Sequence, residues 1–140
     1  MGHRRQGREY ALQLLFQVEM TRDSIAEVEQ RFWVSQNPNQ VARAFASELA
    51  VGTLEKLVDI DERIARATEH WRPERMAVVD RNVLRIAVFE LVHSQETPTA
   101  VVMDEAIEVV RKFGAPESAP FINGVLDAIR RDVERAGTRT

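Results

Sequence analysis

The sequence predicts an all-α protein that folds as a single domain of about seven helices. Residues 76–92 are apolar on nearly every side of a helix, with charges at helical spacing, which is typical of a buried central helix. Residues 102–113 carry apolar side chains at the spacing of an amphipathic helix. The sequence shows neither alternating apolar and polar runs nor a tight-turn pair between apolar runs, so strands are not expected.

The first predicted helix covers about residues 5–19 and has two neighbouring apolar stripes. The expected core face comprises Ala11, Leu14, Leu15 and Val18. Leu12 and Phe16 form the second stripe. Such a stripe most often widens the contact with the core, and the alternative is a strip left open for another protein.

Helix-start signals separate the next two segments. Ser24 and Glu27 form a capping box that begins a second helix, which runs to Trp33. Asn37 followed by Pro38 predicts the start of a third helix. The residues at helical spacing along this third helix are Val41, Ala44, Phe45, Glu48 and Leu49.

Two interruptions are expected before the central helix. Gly52 should bend or break the third helix, since glycine costs about 1 kcal/mol relative to alanine in a helix. The helical pattern then continues through residues 54–71, ending at Trp71, with a break near Asp59. Pro73 is expected to open the central helix, which ends around residues 93–95.

The last two helices have the clearest patterns. Thr97 and Pro98 repeat the cap-and-proline start. Apolar positions of the sixth helix are Val102, Ala106, Val109, Val110 and Phe113. The seventh starts around residues 116–120 and runs to about residue 135, with a frayed end expected over residues 136–140. Its expected buried face comprises Ile122, Val125, Leu126, Ile129 and Val133.

Composition narrows the class of protein. With 140 residues the chain is long enough for one domain with a core, and 44% hydrophobic and 29% charged residues are typical of a globular protein. The absence of cysteine excludes disulfides and thiolate zinc sites and suits the cytoplasm. No apolar run reaches the roughly 18 residues of a membrane span, so a cytoplasmic protein without membrane association is expected.

The net charge of −3 restricts nucleic-acid binding to a local surface, because a whole-surface binder is basic overall. Arg4, Arg5 and Arg8 precede the first acidic residue and lie within about a turn and a half of helix. Guanidinium groups suit phosphate well. The alternative is a solvated, disordered chain end.

Two aromatic residues flank the segment 114–120 and are expected to lie near each other. Exposed rings stack on the bases of single-stranded RNA, which makes Phe113 and Phe121 candidate RNA contacts. Phe113 also fits the core spacing of the sixth helix, which favours its burial. Phe121 lies just off the core stripe of the seventh.

Catalysis is not expected. Glu90 and His93 match one half of a di-metal carboxylate signature, but Ala67 precedes His70 by three residues, so the second half is missing. A surface pair is therefore expected for Glu90 and His93. We find no phosphate loop, nucleophile elbow or zinc motif, and expect neither cofactor nor metal.

Asp80 interrupts the apolar face of the central helix near its start. One interpretation is a first-turn acid facing the positive end of the helix dipole. The other is a marker of the place where a partner docks.

Four segments in this order resemble the NusB family of transcription antitermination factors. They are RRQGREYALQLLF, DRNVLRIAVFEL, VVMDEAIEVVRKFG and FINGVLDAI, and the resemblance extends over about residues 4–129. The resemblance implies a fold of two packed helical bundles and a function that involves no catalysis. The family binds boxA RNA of ribosomal RNA leaders together with NusE, a small-subunit ribosomal protein, and acts on the RNA polymerase elongation complex.

The resemblance implies roles for two groups of residues. The implied RNA-binding group comprises Arg4, Arg5, Arg8, Phe113, Glu117 and Phe121. The implied NusE-binding group comprises Phe16 and Asp80, which favours partner docking for the stripe that includes Leu12. In the FINGVLD segment, Asn123 is open to capping, packing or RNA contact, and close packing is expected at Gly124.

Three other functions remain open. Leu12 and Phe16 are also suited to contact between two copies of the chain in a homodimer. A helical adaptor without RNA contact is the second alternative. The third is the N-terminal domain of an RNA cytosine methyltransferase, which needs a separate cofactor-binding domain, whereas this sequence stops at Thr140.

Overall fold

The computed structural model describes residues 2–68 and 72–137, and over these ranges it contains seven α-helices, one short 3₁₀ turn and no strand. The predicted all-α class is therefore confirmed. The helices are α1 (His3–Thr21), α2 (Ile25–Ser35), α3 (Gln40–Glu55), α4 (Leu57–Ala67), α5 (Val78–Val92), α6 (Thr99–Phe113) and α7 (Ser118–Arg135). Trp71 and residues 138–140 of the predicted frayed end lie outside the described residues.

Helix α5 lies at the centre of the molecule. Helices α1, α2 and α3 form one bundle, α4 to α7 form the other, and α5 packs against α1 and α3 as well as against its own bundle. The predicted central helix is confirmed, but its start at Pro73 is wrong. Pro73–Arg75 forms a separate 3₁₀ turn, and the extended backbone of Ala77 precedes α5.

The prediction for α3 is partly confirmed: Phe45 and Leu49 are buried, whereas Val41, Ala44 and Glu48 are exposed. The helix begins later than the predicted start at Asn37 and Pro38. Asn39 is the N-cap, and its Oδ1 accepts hydrogen bonds from the amides of Val41 at 2.8 Å and Ala42 at 3.3 Å. Val41 is 58% exposed. The buried face is Ala42, Phe45, Ala46, Leu49, Ala50 and Thr53. Its small residues allow close approach to α1, where a Cβ on Gly7 would lie 2.9 Å from Cδ2 of Phe45.

Gly52 does not interrupt α3. A Cβ at this position would lie 2.2 Å from Cζ of Phe89, so α5 packs where a side chain would otherwise stand. The helix ends instead at Glu55, and α4 begins at Leu57 after a single intervening residue. The predicted break near Asp59 is therefore too late in the chain.

The helix-start signals are partly confirmed. Oγ of Ser24 accepts a hydrogen bond from the amide of Glu27, as predicted for α2. Pro98, rather than Thr97, is the N-cap of α6. The expected face of α7 is buried at all five positions, whereas the expected close packing of Gly124 is wrong, because a Cβ there would meet no atom within 4 Å.

Candidate functional site

Arg8 lies inside the molecule, contrary to the expectation of an exposed arginine cluster. Its side chain is 5% exposed, and its Nε and Nη2 each donate a hydrogen bond of 2.8 Å to the carboxylate of Glu90. Its Nη1 lies 3.7 Å from Glu105. Since reaching a phosphate would require breaking this buried pair, Arg8 holds α1 against α5 and is not available as a surface contact.

Glu90 and His93 do not form the predicted surface pair. Glu90 is buried with Arg8, whereas Nε2 of His93 lies 2.7 Å from Oδ2 of Asp59 on α4. Nε of Arg63 donates to the same oxygen. Burial alone would raise the pKa of Asp59, but the hydrogen bonds from Arg63 and His93 outweigh it and lower this pKa below its ordinary value.

Arg4 and Arg5 remain at the surface. The guanidinium carbon of Arg4 lies 4.6 Å from the ring centroid of Phe45, in cation–π geometry. Arg5 donates from Nε to Glu105 at 2.9 Å, and its Nη2 is 2.8 Å from the same carboxylate. Hydrogen bonding and the charge of Glu105 raise the pKa of Arg5 above its ordinary value. Arg5 is thus a partly exposed cation that already has an anionic partner.

One surface groove, which we call the α6–α7 groove, brings Arg5 and Asn123 together. Apolar side chains in its lining belong to Ile107, Ala119 and Pro120. The groove also contains the charged residues Asp104, Glu108 and Arg111. Glu117 and Phe121 are exposed nearby at the start of α7 but do not line this groove.

A second groove, which we call the α1–α5 groove, contains most of the predicted partner residues. Its lining comprises Leu12, Gln13, Phe16, Gln17, Val78, Val79 and Phe113. Phe16 is 45% exposed and Phe113 is 38% exposed, whereas Leu12 is buried. Leu12 therefore contributes more to the core than to the surface, and the expected burial of Phe113 is wrong.

Phe113 and Phe121 do not line the same groove. Among the described residues the two rings make no ring contact, and only Phe113 lies in the α1–α5 groove. The expectation that the segment 114–120 brings the two rings near each other stays a prediction. Phe113 is instead grouped with Phe16, one of the residues predicted to bind a protein.

Asp80 connects the first turn of α5 to the start of α7. Its Oδ2 accepts a hydrogen bond of 2.9 Å from Oγ of Ser118. Its Oδ1 is buried and has no hydrogen-bond partner among the described residues. A Cβ on Gly114 would lie 3.3 Å from this oxygen, so Gly114 leaves room for the carboxylate. Asp80 has a structural partner, and docking of a protein at Asp80 stays a prediction.

The acidic partners of the cations on α1 and α6 are not predicted by the local sequence pattern. Besides Glu105, Oε1 of Glu9 binds Nζ of Lys112 at 2.8 Å, although the two residues are 103 positions apart. Nζ of Lys112 also lies 5.4 Å from the ring centroid of Phe113. The one available signal was the presence of acids inside otherwise apolar helix faces, since buried acids require partners.

Residues 2–68 and 72–137 contain neither a candidate membrane span nor a candidate metal cluster. No helix there is long and apolar enough to cross a membrane. No group of three or more His, Asp or Glu side chains there is arranged to hold a metal ion.

Comparison with known proteins identifies the family. Residues 5–131 match the model of the NusB family. The chain is 47% identical over 135 residues to the transcription antitermination protein NusB of Sorangium cellulosum, covering 96% of both chains. It is 44% identical to that of Koribacter versatilis over 134 residues, covering 95% of this chain and 92% of the relative.

Solved structures share the fold. NusB from T. maritima is 35% identical with a TM-score of 0.82, and the match covers 92% of this chain and 91% of that one. A chain from the crystal structure of the antitermination factors NusB and NusE in complex with dsRNA is 24% identical with a TM-score of 0.83, covering 94% and 98%. The sequence match over nearly the whole chain and the shared fold show that this chain belongs to the NusB family.

Proposed function

We propose that this chain is a non-catalytic RNA-binding factor in transcription antitermination of ribosomal RNA operons. It binds boxA RNA together with NusE and acts on the RNA polymerase elongation complex. Family membership supports this proposal, as does the complex of NusB and NusE with dsRNA formed by a protein of the same fold. The observation that carries it is the presence of two distinct grooves beside the last turn of α6, one lined by charged, polar and apolar residues and the other mainly by apolar residues.

The α6–α7 groove is the proposed RNA site. Arg5 supplies a cation at its edge, and the amide of Asn123 has both donors and acceptors for base edges. The apolar surfaces of Ile107, Ala119 and Pro120 are suited to the flat faces of unpaired bases. Arg5 already forms an ion pair with Glu105, and the chain has a net negative charge. Binding of RNA by this protein alone should therefore be weak.

The α1–α5 groove is the proposed NusE site. Phe16 and Phe113 expose aromatic surface there, and aromatic anchors in apolar pockets dominate the energy of many protein interfaces. A basic partner bound there would extend the cationic surface beside Arg5. NusE thereby strengthens RNA binding without making the RNA site itself.

Fluorescence anisotropy with labelled boxA RNA and a scrambled RNA, each with and without NusE, tests the proposed function. We expect weak binding of boxA alone, tighter binding with NusE, and a smaller gain for the scrambled RNA. The logarithm of affinity should fall with the logarithm of salt concentration by about 0.7 per phosphate contact. With few arginine contacts the slope should be shallow.

A helical adaptor without RNA contact is the second candidate, and the internal pairing of Arg5 and Arg8 favours it. Equal and negligible RNA binding under all four conditions would support the adaptor and reject the main proposal. A second copy of this chain is the alternative occupant of the α1–α5 groove. Sedimentation velocity of the free protein distinguishes a monomer from such a dimer.

A further inference from the structure

Arg111 lies on the last turn of α6, where two surface grooves meet. It lines the α6–α7 groove together with Arg5 and Asn123. It also lines a neighbouring groove that contains Arg5, Glu9 and Lys112. Because both grooves include Arg5 and Arg111, an extended ligand that continues from one groove into the other passes both guanidinium groups.

The guanidinium of Arg111 is more accessible than the neighbouring cations. Its side chain is 65% exposed, and its contact with Glu108 is a long one of 3.5 Å between Nη1 and Oε1. Arg5 and Lys112, in contrast, each hold a carboxylate at 2.8 Å, and Arg8 is buried. An incoming anion therefore has to break a weaker carboxylate contact at Arg111 than at any of these three residues.

The surroundings of Arg111 suit one particular chemistry. Its planar guanidinium matches the oxygens of a phosphate group. The apolar side chains of Ile107 and Pro120 lie in the same groove, beside the amide of Asn123. Asp104 and Glu108 also line the groove and repel an anion that lacks other contacts. This combination fits a ligand with phosphates on one side and flat, uncharged rings on the other, as in single-stranded RNA.

We propose that Arg111 is a further RNA-binding residue, whose guanidinium contacts a backbone phosphate of single-stranded RNA in the α6–α7 groove. This inference rests on the proposed RNA-binding function and adds a residue on α6 to the arginines of α1. It also places a phosphate next to Lys112 and Phe113, at the boundary with the proposed NusE site.

The test compares Arg111→Gln with Arg131→Gln in the full chain, using labelled boxA RNA in the presence of NusE. Arg131 is a matched control because its side chain is 60% exposed and it pairs with Asp127 on α7, outside both grooves. Arg111→Gln should lower the salt slope by about 0.7 and the affinity at 0.1 M salt by about fivefold. Arg131→Gln should change neither, and Arg111→Lys should retain most of the slope.

The possible results separate a failure of the Arg111 assignment from a failure of the proposed function. An unchanged salt slope in Arg111→Gln, with wild-type RNA binding intact, rejects Arg111 as a contact and leaves the proposed function standing. Equal losses in Arg111→Gln and Arg131→Gln also reject it, since they reflect net charge alone. If the wild type binds no RNA with or without NusE, both the proposed function and this assignment fail. Equal far-UV circular dichroism of the three variants serves as the folding control.

Discussion

The three arginines at the start of α1 have three different environments. Arg8 is buried against Glu90, Arg5 is shared between solvent and Glu105, and Arg4 is exposed over the ring of Phe45. Removing one member of a buried pair leaves an uncompensated charge in the core, which costs far more than losing a surface charge. Stability and RNA binding should therefore depend on different arginines.

Arg8→Met should lower the free energy of unfolding by about 3 kcal/mol, because it leaves the carboxylate of Glu90 buried without its bidentate partner. Arg4→Met is the matched control, since the guanidinium carbons of Arg4 and Arg8 lie 4.6 and 5.1 Å from the ring centroid of Phe45, but Arg4 is exposed. Urea denaturation measures both variants. Equal, small losses would show that the Arg8 pair does not stabilise the fold.

Glu105→Gln should strengthen RNA binding, because it removes the carboxylate that occupies the guanidinium of Arg5. Glu134→Gln removes an equal charge from α7, where Glu134 pairs with Arg130. Anisotropy titrations of both variants with boxA RNA and NusE separate the two effects. Weaker binding by Glu105→Gln would mean that Glu105 positions Arg5 for RNA instead of competing with it.

The surface positions of Arg4 and Arg5 followed from their place at the chain's start, but the burial of Arg8 did not. Its partner, Glu90, is 82 positions away, and no local pattern connects two such residues. The signal that existed was an acid on a helix that is apolar on nearly all sides. The spacing of Glu90 and His93 on one helix favours a local pair, whereas the partner of Glu90 lies across the core on α1.

At the scale of the helix, two glycines that look alike in the sequence have opposite surroundings. Gly52 lies inside α3, where the ring of Phe89 fills the space that a Cβ would take. Gly124 lies inside α7 with no atom within 4 Å of an added Cβ. Only the first position requires glycine, since overpacking is costly and alanine is otherwise favoured in helices.

Gly52→Ala should destabilise the protein by about 1–3 kcal/mol, because α3 and α5 must move apart or Phe89 must change its rotamer. Gly124→Ala should stabilise it by up to about 1 kcal/mol through helix propensity. Thermal unfolding should show a lower melting temperature for Gly52→Ala and a higher one for Gly124→Ala than for the wild type. Shifts in the same direction would contradict this account of α3–α5 packing.

The buried face of a helix could be predicted where large apolar residues recur at regular spacing, and only in part where small residues form that face. In α7 all five expected core positions are buried. In α3 the spacing of large residues favours Val41, which is exposed, over Ala42 and Ala46, which are buried. Alanine carries little hydrophobic signal, yet it allows α1 and α3 to approach closely at Gly7. A pattern of side-chain hydrophobicity does not report such backbone proximity.

At the scale of the whole molecule, Glu19 joins the two bundles. From the end of α1 it accepts hydrogen bonds from Arg81 and Asn82 on α5. Arg85 of α5 lies 3.4 Å from Glu19 and also binds Asp61 of α4. Burial would raise the pKa of Glu19, but these hydrogen bonds and charges outweigh it and lower the pKa below its ordinary value.

Stability should therefore fall in acid. A carboxylate whose pKa is lower in the folded than in the unfolded state contributes its full stabilisation above the unfolded value, and this is lost as pH falls through the folded value. For Glu19 the loss should begin below about pH 4, near the ordinary glutamate pKa. Urea denaturation of Glu19→Gln over this range should give a flatter pH dependence than the wild type, and identical profiles would contradict the role of Glu19.

The sequence predicted the class of the fold and its central helix, because a long run of apolar residues must be surrounded by other helices. Of the second stripe of α1, Phe16 is exposed, as expected for a strip left open, whereas Leu12 is buried. Docking of a partner on Phe16 stays a prediction. The sequence did not predict that the last turn of α6 separates two grooves. That arrangement depends on how α6 crosses α1 and α7, and tertiary contacts rather than local spacing determine it.

Substitutions in the two grooves test whether each groove takes a different ligand. The variants Phe16→Ala and Arg5→Gln are each titrated separately with labelled NusE and with labelled boxA RNA. Fluorescence anisotropy gives the affinity for each ligand. Phe16→Ala should weaken NusE binding by about tenfold or more while leaving RNA binding unchanged. Arg5→Gln should weaken RNA binding and leave NusE binding unchanged. Equal losses of both ligands in both variants would contradict the separation of the two sites.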